Sequence, residues 1–136
     1  MDEATETPVR VVAAVLRRGN RVMVCQRPLH KRHGGLWEFP GGKLEPDESI
    51  PSAVQRELAE ELAVEVVSVG SLLFSTQDPG SHFLIEFYPV EIRGEPVPIE
   101  HTAIAWMTEE ELMTIALAPS DKRFALHLTG STSSTT

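Results

Sequence analysis

The chain has 136 residues, 41% of them apolar and 24% charged, which fits one globular domain able to bury a core without disulfides. Its formal net charge of −8 argues against a grip on long nucleic acid, and no apolar run approaches the ~20 residues of a membrane span. The acidic start Met1–Glu6 does not read as a secretory signal, and a single cysteine, Cys25, excludes an internal disulfide and fits a reducing cytoplasm.

Residues 1–8 read as a disordered leader to a domain spanning 9–128. Val9 to Leu16 is apolar and rich in β-branched residues, which predicts a buried strand. Arg17 to Arg21 reads as a solvated turn centred on Gly19-Asn20, with Val22 to Gln26 pairing back as a second strand. Residues 28–35 form a polar loop. Leu36 to Phe39 is a strand stub that Pro40-Gly41-Gly42 should break sharply. A helix is expected over Ile50 to Leu62. Ser49 can cap it, Pro51 falls in the first turn where a missing N–H costs little, and Val54, Leu58 and Leu62 give it an apolar face. Val64 to Phe74 and Phe83 to Ile92 read as strands joined by a turn at 77–81. Ala103 to Met107 is a further short strand. Thr108 with Glu111 forms a capping box, and a last helix runs from Ser120 to Leu128. The Ser/Thr tail from Gly130 to Thr136 has nothing to bury and reads as disordered. This mixed order predicts the α/β class with a mixed sheet.

The chemistry concentrates between Gly41 and Leu62. Glu57, Glu60 and Glu61 stand at i, i+3 and i+4 on the expected helix, within ~5–6 Å between neighbouring Cβ atoms. Their stripe borders the apolar face, so they should be half-buried. Close carboxylates repel and need protons, solvent or a bridging cation. A hard divalent ion suits oxygen ligands, and Mg²⁺ binds through one or two carboxylates plus water and substrate phosphate, with Mn²⁺ as an alternative. Such an ion polarises phosphoryl oxygens and activates water. Gly41 and Gly42 allow close backbone approach, and a glycine carbonyl would add a hard ligand. Arg56 can hold Glu48 or a neighbouring carboxylate by a bidentate pair. Against this stands the plain reading of a solvated acidic helix face.

These residues resemble the Nudix box, G-x5-E-x7-R-E-U-x-E-E-x-G-U, with U a bulky aliphatic residue. Gly42, Glu48, Arg56, Glu57, Leu58, Glu60, Glu61 and Val64 fall on its positions, and Ala63 stands where the family usually has glycine. The segment Leu36-Trp37-Glu38-Phe39-Pro40-Gly41-Gly42-Lys43 is similar to MutT-type members and to cytidine triphosphate pyrophosphohydrolases. The resemblance covers about residues 9–128. It implies an α/β/α sandwich and cleavage of a nucleoside triphosphate to the monophosphate and pyrophosphate by water. It makes Glu57 and Glu61 the principal metal ligands, supported by Glu60 and the Gly41 carbonyl. Glu100, before the Trp106 strand, matches a MutT acidic residue that is either a ligand or the general base, with Glu57 as rival base.

The same resemblance places substrate. Arg27 and Glu38 fall on the nucleotide side, Phe39 lines the base pocket or simply packs in the core, and Asp121 stands where MutT has a base-reading Asn. Ser81 replaces a MutT arginine. The implied substrate is an oxidised guanine nucleotide such as 8-oxo-dGTP, with CTP or a modified cytidine triphosphate as the close alternative. A catalytically silent nucleotide sensor of this family would be expected to lose box glutamates, and none is lost here. The expected partner is a small nucleotide, with no long nucleic acid or membrane, in a cytoplasmic monomer or homodimer. Cys25 and the two tryptophans read as core. The histidines read as surface residues, with His101, beside Glu100, as the exception to watch.

Overall fold

A period of two in the central strands decides the layering. In β1 (Val9–Arg18), Val12, Ala14 and Leu16 are buried on one face and Ala13 and Val15 on the other. The same division runs through β2 (Arg21–Gln26), where Met23 and Cys25 join the first set and Val22 and Val24 the second. Strands buried on both sides need cover on both. The computed structural model, which describes residues 7–133, supplies it. Helix α1 (Ile50–Leu62) lays Ala53, Val54, Leu58 and Leu62 on the first face. Helices α2 (Glu109–Leu112) and α3 (Pro119–Ser133) lay Leu112, Phe124 and Ala125 on the second. The result is the α/β/α sandwich that the resemblance implied.

The sheet is mixed, as expected. β1 runs parallel to β7 (Phe83–Arg93) and antiparallel to β2 near its end. Near its start β1 pairs antiparallel with β4 (Gly41–Lys43). β2 also pairs with β3 (Trp37–Glu38) and β8 (Ala103–Thr108), while β5 (Glu65–Val69) and β6 (Phe74–Gln77) line the far side of β7.

Three elements differ from the sequence reading. The single strand expected over 64–74 is two, because Pro89 in β7 has no N–H for a ladder, and pairing stops at Val69–Val90 and resumes at Phe74–Phe87. The stub does end at Glu38, with a bend at Pro40 as expected, but the chain re-enters the sheet at once as β4, paired with β1, where a Cβ on Gly41 would lie 1.9 Å from the Val12 carbonyl oxygen. Helix α3 continues past Leu128 to Ser133, so the tail expected from Gly130 is helical as far as it is described. Residues 134–136 and most of the leader, 1–6, lie outside the described residues. The arginine turn is exposed from Arg17 to Arg21, as expected, with Arg18 stacked 4.2 Å over the Trp106 ring and Arg21 bonded to Glu111 at 2.9 Å.

Ala63, the departure from the box, ends α1 in the left-handed region with φ 57° and ψ 40°. An alanine there carries Cβ strain that glycine avoids. Ala63→Gly should therefore stabilise the fold by about 0.5–1 kcal/mol, less the entropy of the freer unfolded chain. A thermal melt should show Tm rising by about 2–4 °C; a fall would mean that the left-handed cap carries no strain.

Candidate active site

The phase of α1 sorts its carboxylates. Ser49 caps the helix by accepting the Ser52 N–H, which fixes where the first turn begins. At about 100° per residue, Glu61 lies nearest the Leu58 stripe, Glu57 next, and Glu60 farthest round. Burial follows that order: residue Glu61 is 5% exposed, while the Glu57 and Glu60 side chains are 13% and 55% exposed. The expectation that all three are half-buried thus fails at Glu60, which faces solvent.

Arg56 ties the cluster to the loop before the helix. Its Nε and Nη2 donate to the two Glu48 oxygens at 2.8 and 2.9 Å, and Nη1 donates to Glu57 at 3.0 Å. Nη2 also reaches the Lys43 carbonyl at 3.1 Å, so one guanidinium joins β4, the loop and α1. The Arg56 hydrogen bonds hold the Glu48 carboxyl down at about 2, with the Glu45 N–H assisting. Glu61 goes the other way. Burial pushes its carboxyl well above the usual carboxylate range, and the neighbouring Glu57, hydrogen bonded to it, adds to the rise. The Gly41 N–H, 3.4 Å from Glu61 Oε1, opposes that rise. The peptide group seen to meet Glu61 is thus the Gly41 amide. Gly42 faces Glu57, and a Cβ there would sit 2.3–2.5 Å from the Glu57 carboxylate atoms.

A cavity of about 500 Å³ opens on the other side of these glycines. Arg27, Glu38, Phe39, Gly41 and Asp121, assigned separately from sequence, all line it. Arg27 Nη1 donates to both Glu38 oxygens at 3.1 and 3.2 Å. Phe39 does both things weighed for it: it meets Phe87 and Phe124 edge-on in the core and still borders the cavity. Asp121 accepts the Phe39 N–H at 2.8 Å. Burial pushes its carboxyl up to about 8, against the pull of that N–H. A larger groove of about 760 Å³, bordered by Arg17, Arg18 and Trp106, lies at the other end of β1 and holds none of the box carboxylates.

The raised Asp121 carboxyl has a sign that can be checked. A group protonated more readily when folded contributes stability that is complete below the usual carboxylate range and is lost as pH rises through about 8. Asp121→Asn keeps an acceptor for Phe39 without the charge. Its Tm advantage over the parent should grow between pH 5 and pH 9; a constant gap would place the Asp121 proton elsewhere.

One cavity residue had no signal in the sequence. Asp78, in the turn between β6 and β7, is held by Arg123 and by Ser120 Oγ at 3.4 Å. Both bonds span more than forty residues, and nothing local announces them. Glu100 is exposed, on the loop between β7 and β8. The loop itself is docked: Val97 N–H donates to the Leu62 carbonyl at 2.9 Å and Ile99 N–H to the Glu61 carbonyl at 3.0 Å. Glu100 therefore stands one residue from the backbone of the most buried carboxylate.

Among the described residues no group of three His, Cys, Asp or Glu side chains is already gathered around a cation position. The chemistry of the pair Glu57 and Glu61 still fits one. Two carboxyl groups in contact, one driven to hold a proton by burial, can exchange that proton for a hard cation held between them.

A family model described as NUDIX domain matches residues 7–128. Over 116 residues the chain is 40% identical to a CTP pyrophosphohydrolase of Escherichia coli (strain K12), covering 83% of this chain and 85% of that one. Over 72 residues it is 43% identical to an 8-oxo-dGTP diphosphatase of Proteus vulgaris, covering 52% of this chain and 64% of that one. The solution structure of the E. coli ORF135 protein superposes with a TM-score of 0.80 at 34% identity, covering 96% of this chain and 94% of that one. No described helix is long and apolar enough to cross a membrane.

Proposed function

The chain belongs to the Nudix hydrolase family, and from that premise we propose that it is a nucleoside triphosphate pyrophosphohydrolase releasing a monophosphate and pyrophosphate. The observation that carries this reading is a shared wall. Gly41 and Gly42 border the nucleotide-sized cavity on one side and touch Glu61 and Glu57 on the other. A phosphate chain lying along these glycines would have its base end toward Phe39 and Asp121.

Glu57 and Glu61 are the groups to hold a divalent cation, Mg²⁺ or Mn²⁺, with Glu60, Glu100 and the Gly41 carbonyl as further oxygens. The bound ion would supply charge neutralisation on the phosphates and acidify water. Arg56 keeps Glu57 and Glu48 in place. Arg27 offers a guanidinium to the nucleotide, and Glu57 or Glu100 takes the proton of the attacking water. The site belongs in a reducing cytoplasm, consistent with the buried free Cys25.

Cytosine is the base that the cavity suits best. A protonated Asp121 presents an O–H donor and a C=O acceptor, the complement of cytosine N3 and its N4 amino group. An ionised Asp121 only accepts, which suits guanine N1–H and N2–H, including the 8-oxo form. Burial pushes the Asp121 carboxyl up to about 8, which favours the neutral form over the charged one. The similarity over 116 residues to a CTP pyrophosphohydrolase points the same way, and the shorter one to an 8-oxo-dGTP diphosphatase supports the second reading.

The test is pyrophosphate release with Mg²⁺ from 8-oxo-dGTP, dGTP, CTP, dCTP, ADP-ribose and a dinucleoside polyphosphate. No release from any triphosphate would leave a nucleotide-binding module. The ratio of kcat/KM for CTP to that for 8-oxo-dGTP should fall as pH rises through about 8. Asp121→Asn should flatten that profile, and Asp121→Ala should alter base preference more than turnover. Equal losses on every base would remove Asp121 from base reading.

A further inference from the structure

We propose that His101 is a positioning residue, which sets the substrate wall of the cavity by dividing Glu38 between itself and Arg27. The inference rests on the pyrophosphohydrolase reading above and assigns a role within it.

His101 follows Glu100 on the docked loop, and its side chain is only 7% exposed. Its Nε2 lies 2.8 Å from Glu38 Oε2. A carboxylate oxygen needs a donor, so the ring hydrogen is assigned to Nε2. The other nitrogen, Nδ1, is buried and has no hydrogen-bond partner. Leaving a buried acceptor unsatisfied is unfavourable, and a ring serving only as packing would be cheaper as an apolar side chain. The contact that specifies a histidine here is the one to Glu38. The backbone holds the ring at that point, because Ile99 N–H bonds the Glu61 carbonyl at 3.0 Å and Thr102 N–H bonds the Gln26 carbonyl at 2.9 Å.

Glu38 in turn faces Arg27, whose Nη1 reaches both of its oxygens, while Arg27 Nε donates to the Arg32 carbonyl at 2.6 Å. Arg27, Arg32 and Glu38 line the cavity. With His101 in place, one Glu38 oxygen is shared and the carboxylate is held on the β8 side. Without it, Oε2 loses its shorter contact, and Glu38 is free to close further onto Arg27 from the present 3.1 and 3.2 Å. The existing ion pair would then tighten, and nucleotide would have to compete harder for the guanidinium. His101 therefore acts on substrate affinity through Glu38, and touches neither substrate nor metal.

The experiment compares His101→Ala, His101→Asn and His101→Gln with the parent, on the best triphosphate of the panel. Glutamine carries an amide N–H out to the Nε2 position and asparagine does not. Expected is a KM raised about tenfold in the Ala and Asn variants, ~1.4 kcal/mol. Their kcat should stay within about threefold, and the Gln variant should return KM to within about threefold of the parent, since only it restores the bond. The dissociation constant for CTP should follow the same order, a readout that needs no turnover. The double variant Glu38→Gln/His101→Asn should be no worse than Glu38→Gln alone. The proposal is overturned by an unchanged KM, by Gln as impaired as Asn, by a loss carried in kcat at constant KM, or by additivity with Glu38→Gln. If His101→Ala does not fold, the contrast between Asn and Gln decides. Failure of the pyrophosphohydrolase reading shows instead in the parent, as absent pyrophosphate release.

Discussion

Glu57→Gln lowers kcat on the best triphosphate by at least about 10³-fold, the scale seen when a group stabilising developing charge is removed. The replacement is nearly isosteric, so the Arg56 contact at 3.0 Å and the packing beside Glu61 lose little volume. What is lost is charge. A neutral amide oxygen holds a divalent cation far more weakly than a carboxylate does, and it cannot take a proton from water. Stopped assays with saturating Mg²⁺ measure the drop, and a melt confirms that the fold survives. Near-normal turnover would exclude Glu57 both as a cation ligand and as the base, and would shift the burden to Glu100.

Gly42→Ala should cost about 10²-fold in kcat with KM little changed, the penalty expected for misplacing a catalytic group by roughly 1 Å. A Cβ at residue 42 meets all three Glu57 carboxylate atoms at 2.3–2.5 Å. Those atoms are the end of a flexible side chain, so the helix need not move. The carboxylate is pushed off its place while the backbone stays, and Tm should shift by less than about 3 °C. A large fall in Tm together with normal kcat per folded molecule would show that the glycine serves the fold rather than Glu57.

The sequence was most legible where one residue sets one local event. Ser49 and Pro51 marked the start of α1, Thr108 and Glu111 marked the cap of α2, and the apolar, β-branched run over Val9 to Leu16 marked a buried strand. The helix period also carried the carboxylate cluster, although the exposure of Glu60 needed the position of the core stripe, which only packing fixes. Less was legible where a partner far along the chain decides. Pro89 splits the strand expected over 64–74 from across the sheet, and the Val12 carbonyl lies so close that the missing Cβ of Gly41 is what lets β4 pair with β1. Asp78 enters the cavity wall because Arg123 and Ser120 hold it there. His101 could be singled out for its neighbour Glu100, but its engagement with Glu38, 63 residues away, is a product of topology.

Neighbouring Gly41 and Gly42 are irreplaceable for unrelated reasons, one pressed against the Val12 carbonyl and the other against the Glu57 carboxylate. A saturation scan scored by cell growth would rank both as intolerant and merge them into one conserved pair. Scored by protein abundance, the two should separate: side chains at 41 deplete the folded pool, whereas small ones at 42 leave a plentiful but idle protein. Residue 42 is then the place to make a stable, substrate-trapping form of this chain.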